Sequence, residues 1–456
     1  PLPTPWPLIT MVAALANMSG RQGGDGMKRL KAATALAVGI CLAAMAVACQ
    51  GGDEDETPTA VATGTAVATG SPAAATGAPG ITDTQIILGA DAPLSGVYGA
   101  VYSMIPKATQ AYFKYVNDTQ GGVCGRQIVY KVEDNSFDPA KALEAVRKLV
   151  EQDKVFAIVG SLGDLPHLAV WDYLNENGVP DILVSGGAHR YGADPEGHPL
   201  TFQMLPSYKI EATLGARFIS ENMPGKKVGF LGEMDGHDDA LEGLQDGLDP
   251  SKNELVAAES YEPTALDVRS QVINLHNAGA EVVVLATSPG FLAQAIKEAD
   301  RLDWHPQFLA GYVNSDDIIF QFASPKLLEG MITSQAYKLA AWRDDPDIAE
   351  HYELMQKYGG PPPTNFSIYA QSLGELMVEI LGRTCDNLTR EGLLDAVKSI
   401  KEWRSDLMVE GISVTFSERD HTALQAGRNL RATIVDGKGK FEFFGPLNIF
   451  KDEDLQ

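Results

Sequence analysis

A chain of 456 residues has room for two domains with separate cores, and at 45% hydrophobic and 21% charged residues its make-up is that of an ordinary soluble protein. A net charge of −24 argues against nucleic acid as a partner and against electrostatic docking on an anionic membrane surface. Four cysteines are too few for a disulfide scaffold, and past the amino-terminal region no apolar run reaches the ~18 residues of a membrane span.

Residues 1–26 show no consistent periodicity. Met27 then opens a sharper pattern: Lys28, Arg29 and Lys31 are a positive segment, Ala32 to Met45 an apolar one, and Ala46-Val47-Ala48-Cys49 a small-residue cleavage site. This resembles a bacterial lipoprotein signal peptide, which implies lipidation of Cys49 and a start at Met27, with 1–26 as upstream translation. An ordinary secretory signal or a membrane anchor is the competing reading. Residues 50–80 are Gly/Ala/Thr/Pro low complexity, a flexible tether that cannot bury a core.

The folded part begins near Ile81. QIILGADAPLSGVYGA reads as a strand running into a Pro/Ser/Gly loop, Val101 to Asn117 as a helix, GRQIVYKVEDNSFDP as a strand, and Pro139 to Gln152 as a helix. VFAIVG and ILVSGG are short continuous apolar runs, buried strands on either side of a helix closed by Gly178. A right-handed crossover sets their carboxyl-terminal loops, GSLGD and SGGAH, side by side, where open α/β sheets bind ligands. After a pause near Thr201 to Pro206 the alternation restarts with a helix at Lys209 to Asn222. The strands KVGFLGE, ELVAAESYE, AEVVVLATS and PQFLAGYVN follow, with helices between them. Helices at Pro346 to Tyr358, Ser367 to Thr384 and Thr389 to Ile400 come next, then a hairpin around Gly437 to Gly439. The fold class is α/β, with two doubly wound parallel sheets.

GADAPLSG, VEDNSFDPAKALEAVRKLVEQDKVFAIVGSLG, YLNENGVPDILVS and DNLTREGLLDAV resemble the type I periplasmic binding proteins, and more narrowly the branched-chain amino-acid (leucine-binding) group of ABC-transporter substrate-binding proteins. The resemblance covers about residues 81–450. It implies two lobes joined by a three-strand hinge, with 81–206 and 336–428 in one lobe and 207–335 and 429–450 in the other. It further implies an extracytoplasmic, lipid-anchored monomer that closes on a small solute without chemistry and hands it to a membrane permease. Neither a cofactor nor a metal is expected.

Carried over position by position, the resemblance places the ligand at Tyr98, Gly163, Asp164, Gly187, Ala188, His189, Ser288 and Tyr312. Here the chain departs from its relatives. Amino-acid binders hold the ligand carboxylate with Ser or Thr where this chain has Asp164. They add hydroxyls and backbone groups where it has Gly187-Ala188-His189, and place a carboxylate for the ammonium where it has Tyr312. Their aromatic in the second lobe's first loop falls near Gly236. Asp164 would repel a ligand carboxylate in a partly dry cleft, and Tyr312 offers an ammonium no counter-charge. The expectation is therefore a small amino-acid-like or related organic solute whose neutral, hydroxylated or cationic group is held by Asp164 with His189, with Tyr98 and Tyr312 as apolar walls; an ordinary zwitterionic amino acid is poorly served.

Simpler roles stand beside these. Asp164 can cap the helix that starts at Leu165-Pro166, His189 can face solvent, and Tyr312 can pack in the core. Asp235, His237, Asp238 and Asp239 look more like a solvated helix start than a metal loop. The resemblance puts Cys124 and Cys385 at the ends of first-lobe helices, where a disulfide or two free thiols would fit. The rival functions are an enzyme, for which no GxSxG, HExxH, Walker or GxGxxG motif is found, and a sensory receptor signalling to a separate membrane partner.

Overall fold

The computed structural model describes residues 77–450 apart from 235. The signal-like segment, Cys49, Asp235 and most of the tether lie outside the described residues. Among those described, no helix is long and apolar enough to cross a membrane.

Two sheets organise the chain. The first has the order β2-β1-β3-β4-β5 and is parallel throughout: β1 Gln85–Ala92, β2 Gln127–Asp134, β3 Ala157–Val159, β4 Asp181–Val184 and β5 Thr201–Gln203. Parallel strands need cover on both faces, and their apolar composition supplies it. Ile86, Leu88 and Ala90 of β1 point into a core shared with the helices Met104–Gln120 and Asn365–Arg383. Val155 and Ile158 face the helices Pro139–Arg147 and Asp164–Glu176 on the other side. The start of Pro139–Arg147 is fixed locally. Pro139 occupies the first helical position and the Asp138 side chain accepts from the amides of Ala140 and Lys141, a cap worth about 1 kcal/mol.

The second sheet runs β12-β11-β10-β9-β8-β6-β7, with β6 Lys227–Glu233, β7 Glu254–Tyr261, β8 Val282–Ala286, β9 Gln307–Ala310, β10 Ile332–Gln335, β11 Ala426–Val435 and β12 Lys438–Ile449. β7, β6, β8, β9 and β10 are parallel, whereas β11 and β12 join antiparallel. The hairpin is longer than its sequence signal. Asp436 and Gly437, both at positive φ, form the two-residue turn that matches the strands' twist, and β12 then runs to Ile449. The helices Tyr208–Asn222 and His237–Gly247 pack one face of this sheet and Arg269–Asn277 and Pro289–Arg301 the other. Among the described residues the chain passes between the sheets three times: after β5, after β10 and before β11.

One local departure matters for the site. The Pro/Ser/Gly segment after β1 is helical from Gly96 to Tyr102, so Tyr98 stands on a helix rather than on a loop. Cys124 and Cys385 are bonded, with their Cα atoms 5.2 Å apart, which ties together the ends of two helices that already pack along each other.

Candidate ligand-binding cleft

A cavity of about 200 Å³ opens where the carboxyl ends of the two sets of parallel strands face each other. An apolar cavity of ~150 Å³ already accommodates a benzene ring, so there is room here for an organic solute. Tyr98, Gly163, Asp164, Ser288 and Tyr312 line it. Gly187, Ala188 and His189 do not, contrary to the sequence expectation. Among the described residues the lining contains three carboxyl side chains, Asp164, Glu211 and Glu233, and no Lys, Arg or His.

One wall is aromatic. The rings of Tyr98 and Phe137 stack with centroids 3.9 Å apart and planes 13° from parallel. Phe137 reaches this position through a strained turn, with Ser136 at φ 48° and Phe137 at φ 59°. Such angles are costly for residues with side chains. Here the Asp134 Oδ1 atom accepts from the Ser136 amide at 2.8 Å, and Asn135 Oδ1 from the Phe137 amide at 2.9 Å. Hydrogen bonds from Ser95, Leu94 and Ser136 outweigh the cost of burial and hold the Asp134 carboxyl down at about 2. Gly163 sits under the Phe137 ring at φ 110°, and a Cβ there would lie 2.8 Å from Phe137 Cε2.

The opposite rim explains why Gly187, Ala188 and His189 are displaced. Tyr208, the first residue of its helix, places its ring against both Gly187 and Gly236. A Cβ on either glycine would come within 2.3 or 2.4 Å of a ring carbon. Its amide donates to the Gly187 carbonyl at 2.7 Å and its hydroxyl to Asp164 Oδ2 at 2.8 Å. Asp164 Oδ1 accepts from the Ala188 amide at 2.7 Å. Asp164 is the first residue of its helix but makes no capping bond; it joins the two strand-end loops to the other lobe instead. Burial lifts its carboxyl to about 6, against the pull of the Ala188 and Tyr208 hydrogen bonds. His189 is half-buried and tied down on both sides. Its amide donates to Asp239 Oδ2 at 2.7 Å, and its Nδ1 lies 3.1 Å from Ser207 Oγ.

Deeper in the cavity, Glu211 accepts from the Tyr312 amide at 2.5 Å and from the Ser334 hydroxyl at 3.1 Å. Burial away from bulk water pushes its carboxyl up to about 8, so it is protonated at neutral pH and can donate. The Tyr312 hydroxyl is buried with no hydrogen-bond partner among the described residues, a state that costs ~1–3 kcal/mol unless something fills it. Glu233 closes the front. Its Oε1 accepts from the Tyr98 hydroxyl at 2.6 Å, and its Oε2 from Tyr261 at 2.7 Å and the Ser288 amide at 3.3 Å.

Behind the cleft, Ser161, His167 and Asp181 are linked at 3.0 and 2.9 Å in the order of a hydrolase relay. All three are 0% exposed, and the Ser161 hydroxyl donates to Asp91. No substrate reaches that oxygen, so the chain of bonds is a core network. Burial disfavours a charge on His167, but Asp181 outweighs it and raises the histidine above its usual range.

The sequence reading missed Phe137, Tyr208, Glu211 and Glu233. Glu233 ends a strand, as a cleft residue should, and was legible in KVGFLGE. Tyr208 and Glu211 open a helix, and nothing in their spacing marks the side chains as turned toward the cleft.

A family model described as "Periplasmic binding protein" matches residues 85–440. A Leu/Ile/Val-binding protein homologue of Brucella melitensis is 26% identical over 222 residues, which cover 47% of this chain and 58% of that protein. The match thus spans little more than half of that relative's length. Among solved structures, a fatty acid ABC transporter substrate-binding protein from Thermomonospora curvata superposes with a TM-score of 0.69 at 24% identity, over 81% of this chain and 94% of that one. A branched-chain amino acid ABC transporter protein from Thermus thermophilus with bound valine gives 0.70 at 19%, over 80% and 98%.

Proposed function

The chain belongs to the periplasmic binding protein family, in its type I, leucine-binding group, and on that premise we propose that it closes on an apolar solute whose head carries no unshared negative charge and presents that solute to an ABC permease. It works outside the cytoplasm as a monomer held to the membrane by a lipid on Cys49, and no bond in the solute is broken or formed.

One observation carries the choice of solute. The Tyr208 ring fills the space before Gly187 and Gly236, in a cleft lined, among the described residues, by three carboxyl groups and no base. The backbone groups that would grip an amino acid's carboxylate are thereby covered, and a bare carboxylate would meet Asp164 with no counter-charge. An alcohol or amide meets no such barrier. An acid fits if it shares a proton with Glu211. Of the ligands named for the two structural neighbours, a fatty acid suits these walls better than valine.

Calorimetry at neutral pH tests the reading with octanamide, octanoate, benzamide, leucine and valine. We expect the apolar probes to bind and the two amino acids to give no heat. Tighter binding of leucine or valine than of any apolar probe would sink the proposal.

A further inference from the structure

The cavity does not end at the cleft. It continues between the helix Tyr208–Asn222 and the second sheet, bounded by Glu211, Leu214, Gly215 and Phe218 on the helix. These positions recur at three- and four-residue spacing, so they form one stripe about 10 Å long at 1.5 Å per residue. Val284, Leu309 and Ile332, from three adjacent strands, floor the slot. Leu214, Gly215, Phe218 and Val284 stay only half-buried although helix and sheet pack against each other, and all four line the cavity.

Gly215 is the independent sign. Glycine inside a helix is less favourable than alanine by roughly 1 kcal/mol, and this one adopts no angle that requires it. A Cβ built there meets nothing within 4 Å. Packing therefore does not demand glycine; the helical Gly290 and Gly382 are equally unobstructed, but of the three only Gly215 lines the cavity, where a side chain would take up slot volume. Glu211 stands at the neck, where it accepts from the backbone amide of Tyr312, a second lining residue whose buried hydroxyl has no hydrogen-bond partner among the described residues.

We propose that this slot is a tail subsite for an unbranched aliphatic chain. Glu211 and the Tyr312 hydroxyl hydrogen-bond the head to which the chain is attached. The subsite rests on the solute class proposed above and adds a length to it: the ~10 Å stripe takes roughly six to eight methylenes. Straight-chain amides from butanamide to dodecanamide, titrated into the whole protein, test it. Affinity should climb about two- to fourfold per methylene, as for each methylene taken out of water, and level off once the slot is full. Gly215→Leu should flatten the series, so that dodecanamide binds no better than butanamide, and Gly215→Ala should give an intermediate slope. Both variants should melt no lower than the parent, since each adds helix propensity in open space. Affinity that ignores chain length while the short amides still bind overturns the tail subsite alone. So does a series left unchanged by Gly215→Leu, or phenylalkyl amides preferred to alkyl amides of equal length. Failure of every amide to bind overturns both the subsite and the solute class.

Discussion

The Tyr208 hydroxyl donates to Asp164 Oδ2 at 2.8 Å, from a helix on the second sheet to the end of a strand loop on the first. Tyr98 and Glu233 make the matching bond across the mouth at 2.6 Å. A closed cleft keeps such bonds and an open one loses them, so they belong to the energy difference between the two forms. We expect Tyr208→Phe to cost about 1–2 kcal/mol and to weaken solute binding by roughly tenfold. Asp164→Asn should remove most of the same energy, so the double variant should be far less damaged than the sum. Thermal melts of the four proteins measure the coupling, and strict additivity would mean that the two side chains act apart.

Gly187→Ala and Gly236→Ala should each destabilise by about 1–3 kcal/mol, since a methyl group at either site drives into the Tyr208 ring. In a Tyr208→Ala background the cost should largely vanish. Unfolding midpoints of the single and paired variants decide it, and a cost that persists without the ring points to the glycine backbones themselves.

Alternation of buried strands and helices made both sheets legible, because a parallel strand covered on both faces reads as an unbroken apolar run wherever it occurs. VFAIVG and ILVSGG show it. The cleft wall was only half legible. Asp164 and Tyr312 follow strands and fall on the cavity, as position in an α/β sheet requires. The loop Gly187-Ala188-His189 also follows a strand, yet one ring from a distant helix covers it. That relation depends on how far two lobes close, and no local pattern encodes it. Phe137 was hidden for a different reason: its place follows from two left-handed residues in a turn, which a strand reading of VEDNSF passes over.

Stability should fall as pH rises through a window set by Glu211. Its carboxyl is raised from 4.5 to about 8 by burial, so the folded form keeps a proton that the unfolded chain releases. The contribution is fully present below about 4.5, declines between there and about 8, and is gone above. Asp164, raised from 3.8 to about 6, adds a loss of the same sign at lower pH. We expect Glu211→Gln to remove the upper part of the slope, on the order of a few kcal/mol between pH 5 and pH 8. Melting curves across that range check it, and a parent protein that grows more stable from pH 6 to pH 8 relative to the variant reverses the sign and refutes it.

The bond between Cys124 and Cys385 closes a loop of 261 residues in sequence separation. In the chain-entropy picture so long a loop contributes about 5 kcal/mol, less any structure the reduced unfolded chain retains. Reduction, or the pair Cys124→Ser with Cys385→Ser, should lower the melting temperature by about 5 °C or more. Calorimetry with and without reductant should give the same drop as the double variant, and no change on reduction would mean that the thiols are free in solution.

Phe137→Gly separates packing from recognition. Glycine accepts the left-handed angle that phenylalanine adopts at a cost of ~1–3 kcal/mol, while losing a half-buried ring forfeits roughly the same amount. The two nearly cancel, so the melting temperature should move by only a few degrees. Affinity is another matter, because the ring is the platform on which Tyr98 is stacked toward the solute. We expect binding of the preferred apolar probe to weaken tenfold or more at nearly constant stability. A variant that unfolds easily yet binds as before would make Phe137 a packing residue, and its strained turn would then need a cause other than the cleft.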